Sequence, residues 1–218
     1  MYKIDFPFDA NLVLRKKRAL RKRLLCNKNL TEKRIAILGG STTSEVKDML
    51  EIFLLNEGIK TVFYESEYGM YYEDSVFDNV RLKEFKPDVI YIHTTIVNVE
   101  SFPSINDPLK EVDKLLNSQV TRFVEIWDTI QLEYNCPVIQ NNFELPFYRV
   151  LGNLDNYDIH GQTYFINKLN LLFSVEAQKR KGLYLNDINY LSSLFGLKRW
   201  YDVHAWSAYK YAMCIEAI

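Results

Sequence analysis

Short apolar runs alternate with amphipathic segments along most of the chain, starting at residue 34. Segments of helical periodicity follow the first four runs, and the third run is apolar throughout, as in a strand covered on both faces. This alternation predicts an α/β fold, a three-layer α/β/α sandwich around a five-stranded parallel sheet. The five predicted strands are 34–40, 60–66, 88–95, 136–142 and 182–188.

The predicted helices carry end signals. The segment 43–58 finishes at Gly58, a residue suited to the left-handed position that follows many helices. The long segment 107–134 begins with Asp107, which we expect to cap the helix, and Pro108 then falls in its first turn.

A basic segment precedes the alternating pattern. Residues 1–34 contain eleven Lys and Arg but three acidic residues, so this part carries a net charge of +8 and the remainder carries −9. The densest part, 12–25, sets five leucines among the cations and is predicted to be a helix. We therefore divide the chain into a basic helical segment at 1–33, packed on the body, and one α/β domain at 34–218. Alternatively, the cations form a docking surface for an acidic protein or a helix on a membrane surface.

Composition is typical of a soluble intracellular domain. Hydrophobic residues make up 48% and charged residues 25% of the chain, and a net charge of −1 predicts no general affinity for nucleic acid. No apolar run reaches the ~20 residues that span a membrane, and the first residues do not have the order of a signal peptide. Three widely spaced cysteines indicate a reduced, cytoplasmic protein. No metal-ligand spacing or nucleotide fingerprint occurs, so we expect neither a metal nor a cofactor.

The unusual polar segments all follow predicted strands. Ligands of parallel sheets bind beyond the C-terminal ends of the strands, so we expect a single pocket built from these loops. Acidic and aromatic residues between 65 and 74, and the amides and carboxylate of 141–144, are either walls of that pocket or networks that brace the loops. The segments are Gly40-Ser41, 65–72, 93–98, 141–144 and 187–189.

The stretch GGSTTSE at 39–45 allows three interpretations. Ser41 stands where many α/β enzymes place a nucleophile. Alternatively, the helix start attracts an anion, and Ser41 contacts a ligand without reacting. In the third interpretation Thr42 and Glu45 form a capping box that satisfies the free amides of the helix.

Six stretches, in this order, resemble the N-terminal domain of FkbH-like proteins: ILGGSTTSE, FYESEYGMYYED, KPDVIYIHTTIVN, CPVIQNNFELPFYRVLGNLD, LYLNDINYL and WYDVHAWSAYKYAM. The resemblance covers nearly all of 34–218 and implies a fold similar to SGNH (GDSL-type) hydrolases, with a flavodoxin-like sheet. In that family the domain precedes a phosphatase-like domain of the HAD superfamily, which loads a glyceryl group onto an acyl carrier protein. Relatives act in polyketide and polysaccharide biosynthesis. The D-x-D-x-T motif of the HAD domain does not occur in this sequence.

The resemblance to SGNH hydrolases also implies a catalytic set. Ser41 matches the nucleophile, His204 the base and Asp202 the residue that orients the base. The family block D-x-x-H reads YDVHAW here, so the aspartate and histidine stand one residue too close. This departure weakens the catalytic interpretation.

The same resemblance implies an oxyanion and ligand-binding set. Gly69 matches the oxyanion glycine, and Thr95 or Asn98 takes the place of the asparagine in the third block. The remaining expected ligand contacts are Gly40, His93 and Asn142.

Two functions follow from these residues. In the first, the chain is a serine esterase or acyltransferase acting on an acyl or glyceryl ester. In the second, it is a non-catalytic accessory domain that binds an acyl carrier protein, through the basic segment 12–25, or an intermediate, and serves the HAD domain. The Gly40-Ser41 turn favours the first function, and the altered third and fifth blocks favour the second.

Overall fold

The computed structural model describes residues 4, 5 and 7–218; positions 1–3 and 6 of the predicted basic segment lie outside the described residues. The strands are β1 (Thr31–Gly39), β2 (Ile59–Glu65), β3 (Val89–His93), β4 (Val138–Asn141) and β5 (Leu183–Asn186). The helices are α1 (Ala10–Leu24), α2 (Ser44–Asn56), α3 (Tyr71–Val76), α4 (Val80–Phe85), α5 (Leu109–Tyr134), α6 (Gln162–Lys179), α7 (Ile188–Phe195), α8 (Leu197–Trp200) and α9 (Val203–Tyr209).

The five strands form one parallel sheet in the order β2-β1-β3-β4-β5. This is the flavodoxin-like order, in which the direction of strand progression reverses between β1 and β3. The predicted fold class is confirmed. The first strand begins three residues earlier than its prediction because Thr31–Lys33, although polar, pair with Ile59–Thr61 of the edge strand.

One face of the sheet packs against α5 and α6. Alternate residues of the strands, such as Leu38 and Ile92, meet an aromatic cluster that includes Phe123, Trp127 and Phe173. The Trp127 indole nitrogen donates a hydrogen bond to the Gln140 side chain (3.1 Å), so its polar atom is satisfied inside the core.

The basic helix α1 packs on α2 at the opposite side of the sheet. Leu24 belongs to an apolar cluster with Met49, Ile52 and Leu55 of α2. Ion pairs flank this cluster: Lys17 contacts Glu45 (2.7 Å) and Asp48 (3.1 Å), and Arg21 contacts Glu51 (2.6 Å). The apolar seam and the charge pattern of α1 therefore face the same acidic helix.

Helix ends differ from the sequence pattern in two places. The long helix α5 begins at Leu109 with Pro108 as its N-cap, because Asp107 instead accepts a hydrogen bond from the Ser104 amide (2.7 Å). The sequence pattern predicts one short helix at 74–85, halted by Pro87. The structure has two helices here, α3 and α4, since the Asn79 side chain caps the second.

Across the described part of the chain, no helix has the length and apolar character needed to cross a membrane.

Candidate functional site

The turn after β1 lies at the switch point of the sheet. The Gly40 amide donates to the His93 carbonyl (2.9 Å), and the Asn98 side-chain amide donates to the Gly40 carbonyl (2.8 Å). A Cβ atom on Gly40 would lie 2.3 Å from the Asn98 nitrogen, so this close approach requires glycine. Three predicted site residues, Gly40, His93 and Asn98, are therefore neighbours.

Ser41 follows this turn and is buried, with 2% of its surface exposed. Among the described residues, its hydroxyl oxygen has no hydrogen-bond partner. A serine hydroxyl reacts only when a neighbouring base removes its proton, and no such base is bound to Ser41 in this structure.

The C-terminal tail covers the turn. The Thr42 amide donates to the Lys210 carbonyl (3.0 Å), and the Thr42 hydroxyl donates to the Tyr209 carbonyl (2.7 Å). The predicted capping box of Thr42 and Glu45 is wrong, because Thr42 is bound to the tail and Glu45 is paired with Lys17. The N-cap of α2 is Thr43, without a side-chain cap.

Asp202 and His204 are in contact through the Asp202 carboxylate and the His204 backbone amide. The Asp202 carboxylate caps α9 by accepting the amides of His204 (2.8 Å) and Ala205 (3.0 Å). The His204 side chain is exposed, and its ring lies edge-on to Tyr209 at 6.2 Å between centroids. In this structure the predicted orienting carboxylate therefore serves as a helix cap.

His93 is a buried histidine at the end of β3. Burial lowers the pKa of its imidazole to about 4, so the ring is neutral near pH 7. It packs edge-on against Tyr91 at 5.7 Å, and its Nδ1 atom has no hydrogen-bond partner among the described residues. This neutral ring is available to donate or accept one hydrogen bond.

The two asparagines after β4 have different surroundings. Asn141 is fully buried; its Oδ1 accepts from the Tyr91 hydroxyl (2.9 Å) and from Asn186 (2.8 Å). The Nδ2 atom of Asn141 has no partner within the described residues. Asn142 is occupied at both ends, donating to Asp187 (2.7 Å) and accepting the Asn189 amide (3.1 Å), so it braces the start of α7.

Sequence reasoning missed the burial of Glu144 and the raised pKa of its carboxyl group. It is 3% exposed and accepts the Ile96 amide (3.1 Å). Burial raises the pKa of this carboxyl group to about 7, against the effect of the Ile96 amide and of the nearby Trp200 indole. The sequence shows a glutamate in a loop after β4, but a loop position by itself gives no signal of burial.

The other predicted contacts lie at the same edge of the sheet. Thr95 is fully buried, and its amide donates to the Asn98 side chain (3.0 Å). Gly69 adopts a left-handed conformation (φ +76°) in the turn after β2. The acidic segment 65–74 borders a groove of about 400 Å³, and its first carboxylate, Glu65, is held by Thr43 (2.9 Å) and Lys47 (3.1 Å).

No group of three or more His, Cys, Asp or Glu side chains in the described ranges is arranged to hold a metal ion. The buried polar groups at this edge of the sheet include amides, hydroxyls, the His93 imidazole and the Glu144 carboxyl group.

A doubly wound parallel sheet, with buried polar groups at its switch point, defines an α/β domain of flavodoxin-like topology. Residues 34–218 match the model of the family described as FkbH, N-terminal domain. This match covers most of the chain, so the chain belongs to the FkbH N-terminal domain family, as the sequence motifs predicted.

Solved structures show the same fold. The N-terminal part of the protein BF1531 from Bacteroides fragilis, which contains a phosphatase domain complexed with Mg, matches with a TM-score of 0.77 and 17% identity. The match covers 92% of this chain and 52% of that chain, so this chain spans about half the length of its relative.

Two further solved structures, which match with lower TM-scores, are named as hydrolases. They are a putative acylhydrolase (BF3764) from Bacteroides fragilis NCTC 9343 (TM-score 0.44, 13% identity, 98% of this chain and 91% of that chain) and an acetyl xylan esterase, AlAXEase (0.41, 13%, 76% and 82%). No curated protein sequence matches the chain significantly.

Proposed function

We propose that this chain is a non-hydrolytic accessory domain of an FkbH-type protein. In this role it binds an acidic acyl carrier protein and presents the carried acyl or glyceryl group to a phosphatase-type domain. The observation that carries the proposal is the division of the cations on α1 between two faces.

One face of α1 is used within the molecule, where Lys17 and Arg21 pair with α2. The other face carries Arg15, Arg18 and Lys22 at helical spacing. These three side chains are exposed, and the ion pairs from α1 to α2 use Lys17 and Arg21 instead. Arg15 donates a hydrogen bond to the Asn11 carbonyl (3.2 Å) within the helix. A cationic stripe of this kind attracts an acidic partner, speeds encounter and sets orientation.

The state of Ser41 also supports a binding role. Its hydroxyl is buried without a base, and the carboxylate that would orient the predicted base caps α9 instead. A site of neutral donors and acceptors suits the recognition of an ester or amide group without cleavage.

The test is the affinity of a purified acidic acyl carrier protein for the chain, measured by fluorescence anisotropy at low and high salt. We expect Arg18→Glu/Lys22→Glu to weaken binding ~10-fold at low salt, with a smaller effect at high salt because surface charges are then screened. The matched control is Lys110→Glu/Lys181→Glu, which makes the same change in charge at exposed positions away from α1. Equal weakening by both pairs, or no binding by the unchanged chain, would contradict the proposal.

A second candidate, a serine esterase or acyltransferase, is favoured by the position of Ser41 on a glycine turn at the switch point, beside the Asn98 amide. This function requires a base within hydrogen-bond distance of the Ser41 hydroxyl, which has no partner among the described residues. Labelling with a fluorophosphonate probe decides between the two, with Ser41→Ala as the control. Stoichiometric labelling that depends on Ser41 would establish the esterase, whereas unlabelled but folded protein is the result expected of a binding domain.

A further inference from the structure

Residues 203–211, which comprise α9 and the two residues after it, form a surface flap whose two ends are tied together. At its base the Cys214 amide donates to the Trp200 carbonyl (2.8 Å). Trp200 and Met213 are buried in one apolar cluster with Ile188 of α7. A loop with adjoining, anchored ends is a compact unit, and such units are often functional.

The flap rests on the turn after β1 through hydrogen bonds. Thr42 makes two of them, from its amide to the Lys210 carbonyl (3.0 Å) and from its hydroxyl to the Tyr209 carbonyl (2.7 Å). A third joins the hydroxyls of Ser44 and Tyr211 (2.8 Å). The flap is therefore held to residues 42–44 by polar contacts.

Apolar contacts hold the flap only weakly. Of its nine residues, all of which the structure describes, Ala205 alone is buried. Val203 and Tyr209 are 57% and 59% exposed. Segments with few buried apolar contacts and exposed hydrogen bonds open locally at a much smaller cost than global unfolding. The flap has these properties, whereas the sheet and its flanking helices do not.

The body of the molecule holds the other side of the same turn. The Gly40 amide is bound to the His93 carbonyl (2.9 Å), and the Gly40 carbonyl is bound to the Asn98 side chain (2.8 Å). Ser41 follows these contacts in the chain and precedes those with the flap; it is 2% exposed, and its hydroxyl has no partner among the described residues. A ligand reaches this hydroxyl only when one side moves, and the flap is the more weakly held side.

We infer that the flap opens about its base at Trp200 and Cys214 and controls access to the Ser41 hydroxyl. On opening, the bonds to Thr42 and Ser44 break, whereas the bonds between Gly40 and the end of the sheet persist. The inference rests on the proposed function for the identity of the ligand, since the carried acyl or glyceryl group is what would enter. The opening itself is a property of this chain and requires no partner.

The test is hydrogen exchange of the unchanged 218-residue chain, followed by NMR at several urea concentrations below the unfolding transition. After correction for intrinsic rates, the Thr42 amide, bound to the flap, should exchange at least ~10-fold faster than the Gly40 amide, bound to the sheet. Exchange of Thr42 should also depend weakly on urea, because opening the flap exposes little surface. No carrier protein is present, so flap opening can fail while carrier binding succeeds, and the reverse.

A second measurement reads access to the site directly. In the variant Ser41→Cys, iodoacetamide alkylates the new thiol, and peptide mass mapping separates this reaction from that of the three natural cysteines. Adding Tyr211→Phe removes the hydroxyl bound to Ser44 and should raise the alkylation rate ~5-fold. Adding Tyr209→Phe is the matched control. It removes the same group from the same flap, but Tyr209 contacts Thr42 through its backbone carbonyl, so the rate should stay unchanged.

Three results would overturn the inference. The first is exchange of the Thr42 and Gly40 amides at one rate and with one urea dependence, since the flap would then open only together with the sheet. The second is alkylation of Ser41→Cys as fast as that of the exposed Cys26, since the flap would then not cover the site. The third is an alkylation rate with Tyr211→Phe no higher than with Tyr209→Phe.

Discussion

At the scale of single residues, the turn after β1 depends on having a glycine at position 40. Gly40 has no Cβ atom, and the Asn98 amide occupies the space that a Cβ would take. The same amide links two backbone groups, the Gly40 carbonyl and the Thr95 amide. The Asn98 side chain therefore links the turn after β1, next to Ser41, to the segment after β3.

We expect Gly40→Ala to lower the free energy of unfolding by about 1–3 kcal/mol, since the new methyl group must displace Asn98. Asn98→Ala removes the obstacle together with its hydrogen bonds. The double variant should therefore be hardly less stable than Asn98→Ala alone, a non-additivity that urea unfolding measures. Fully additive losses would contradict the steric explanation.

At the scale of elements, the docking of α1 combines an apolar seam with ion pairs. Leu24 is 6% exposed within the cluster that joins α1 to α2, whereas the Arg21 side chain is 53% exposed. Burial of apolar surface contributes more to stability than exposed pairs, whose charges water screens. The charge pattern selects which face of α1 meets α2, and the leucines hold it there.

Leu24→Ala should lower the free energy of unfolding by about 2–4 kcal/mol through the lost contacts and the cavity left behind. Arg21→Gln should cost less than about 1 kcal/mol. Urea unfolding of the two variants checks the ranking. A larger loss with Arg21→Gln would show that the ion pairs hold the helix.

At the scale of the whole molecule, two buried titratable groups give opposite pH dependences of stability. Burial lowers the pKa of His93 to about 4, so between about pH 4 and 6.5 the unfolded chain binds a proton that the native state does not. Acidification through this range is therefore destabilising. Burial raises the pKa of Glu144 to about 7, so between about pH 4.5 and 7 the native state keeps a proton that the unfolded chain has lost. Acidification through that range is stabilising.

When the pH falls from 7 to 5, each group changes the free energy of unfolding by about 2 kcal/mol, and the two changes have opposite signs. On acidification from pH 7 to 5, the free energy of unfolding of Glu144→Gln should fall relative to that of the unchanged chain, because only the destabilising effect of His93 remains. His93→Asn should gain stability over the same interval. Urea unfolding at both pH values measures the two slopes, and parallel slopes in all three proteins would contradict the assignment.

The site illustrates which positions sequence reasoning could place, while the roles of the site residues stay predictions. The position of Ser41 after a buried strand, and the placement of Gly40, His93 and Asn98 at one edge, required only the order of strands and the rule that parallel strands end together. The prediction that Asp202 orients His204 relied on their spacing along the chain. In the structure the Asp202 carboxylate caps α9, and the His204 ring contacts Tyr209. Whether Ser41 reacts remains a prediction.

The sequence by itself determined the alternation of strands and helices, the parallel sheet and the family, because hydrophobic period and local motifs depend on neighbours along the chain. Tertiary structure decided which partner each polar group found. Thr42 lies three residues before Glu45, yet its hydroxyl bonds to Tyr209, which is 167 residues away. The burial of Glu144 likewise depends on how distant elements pack. A linear pattern does not record that packing, because several arrangements of the same elements satisfy it equally well.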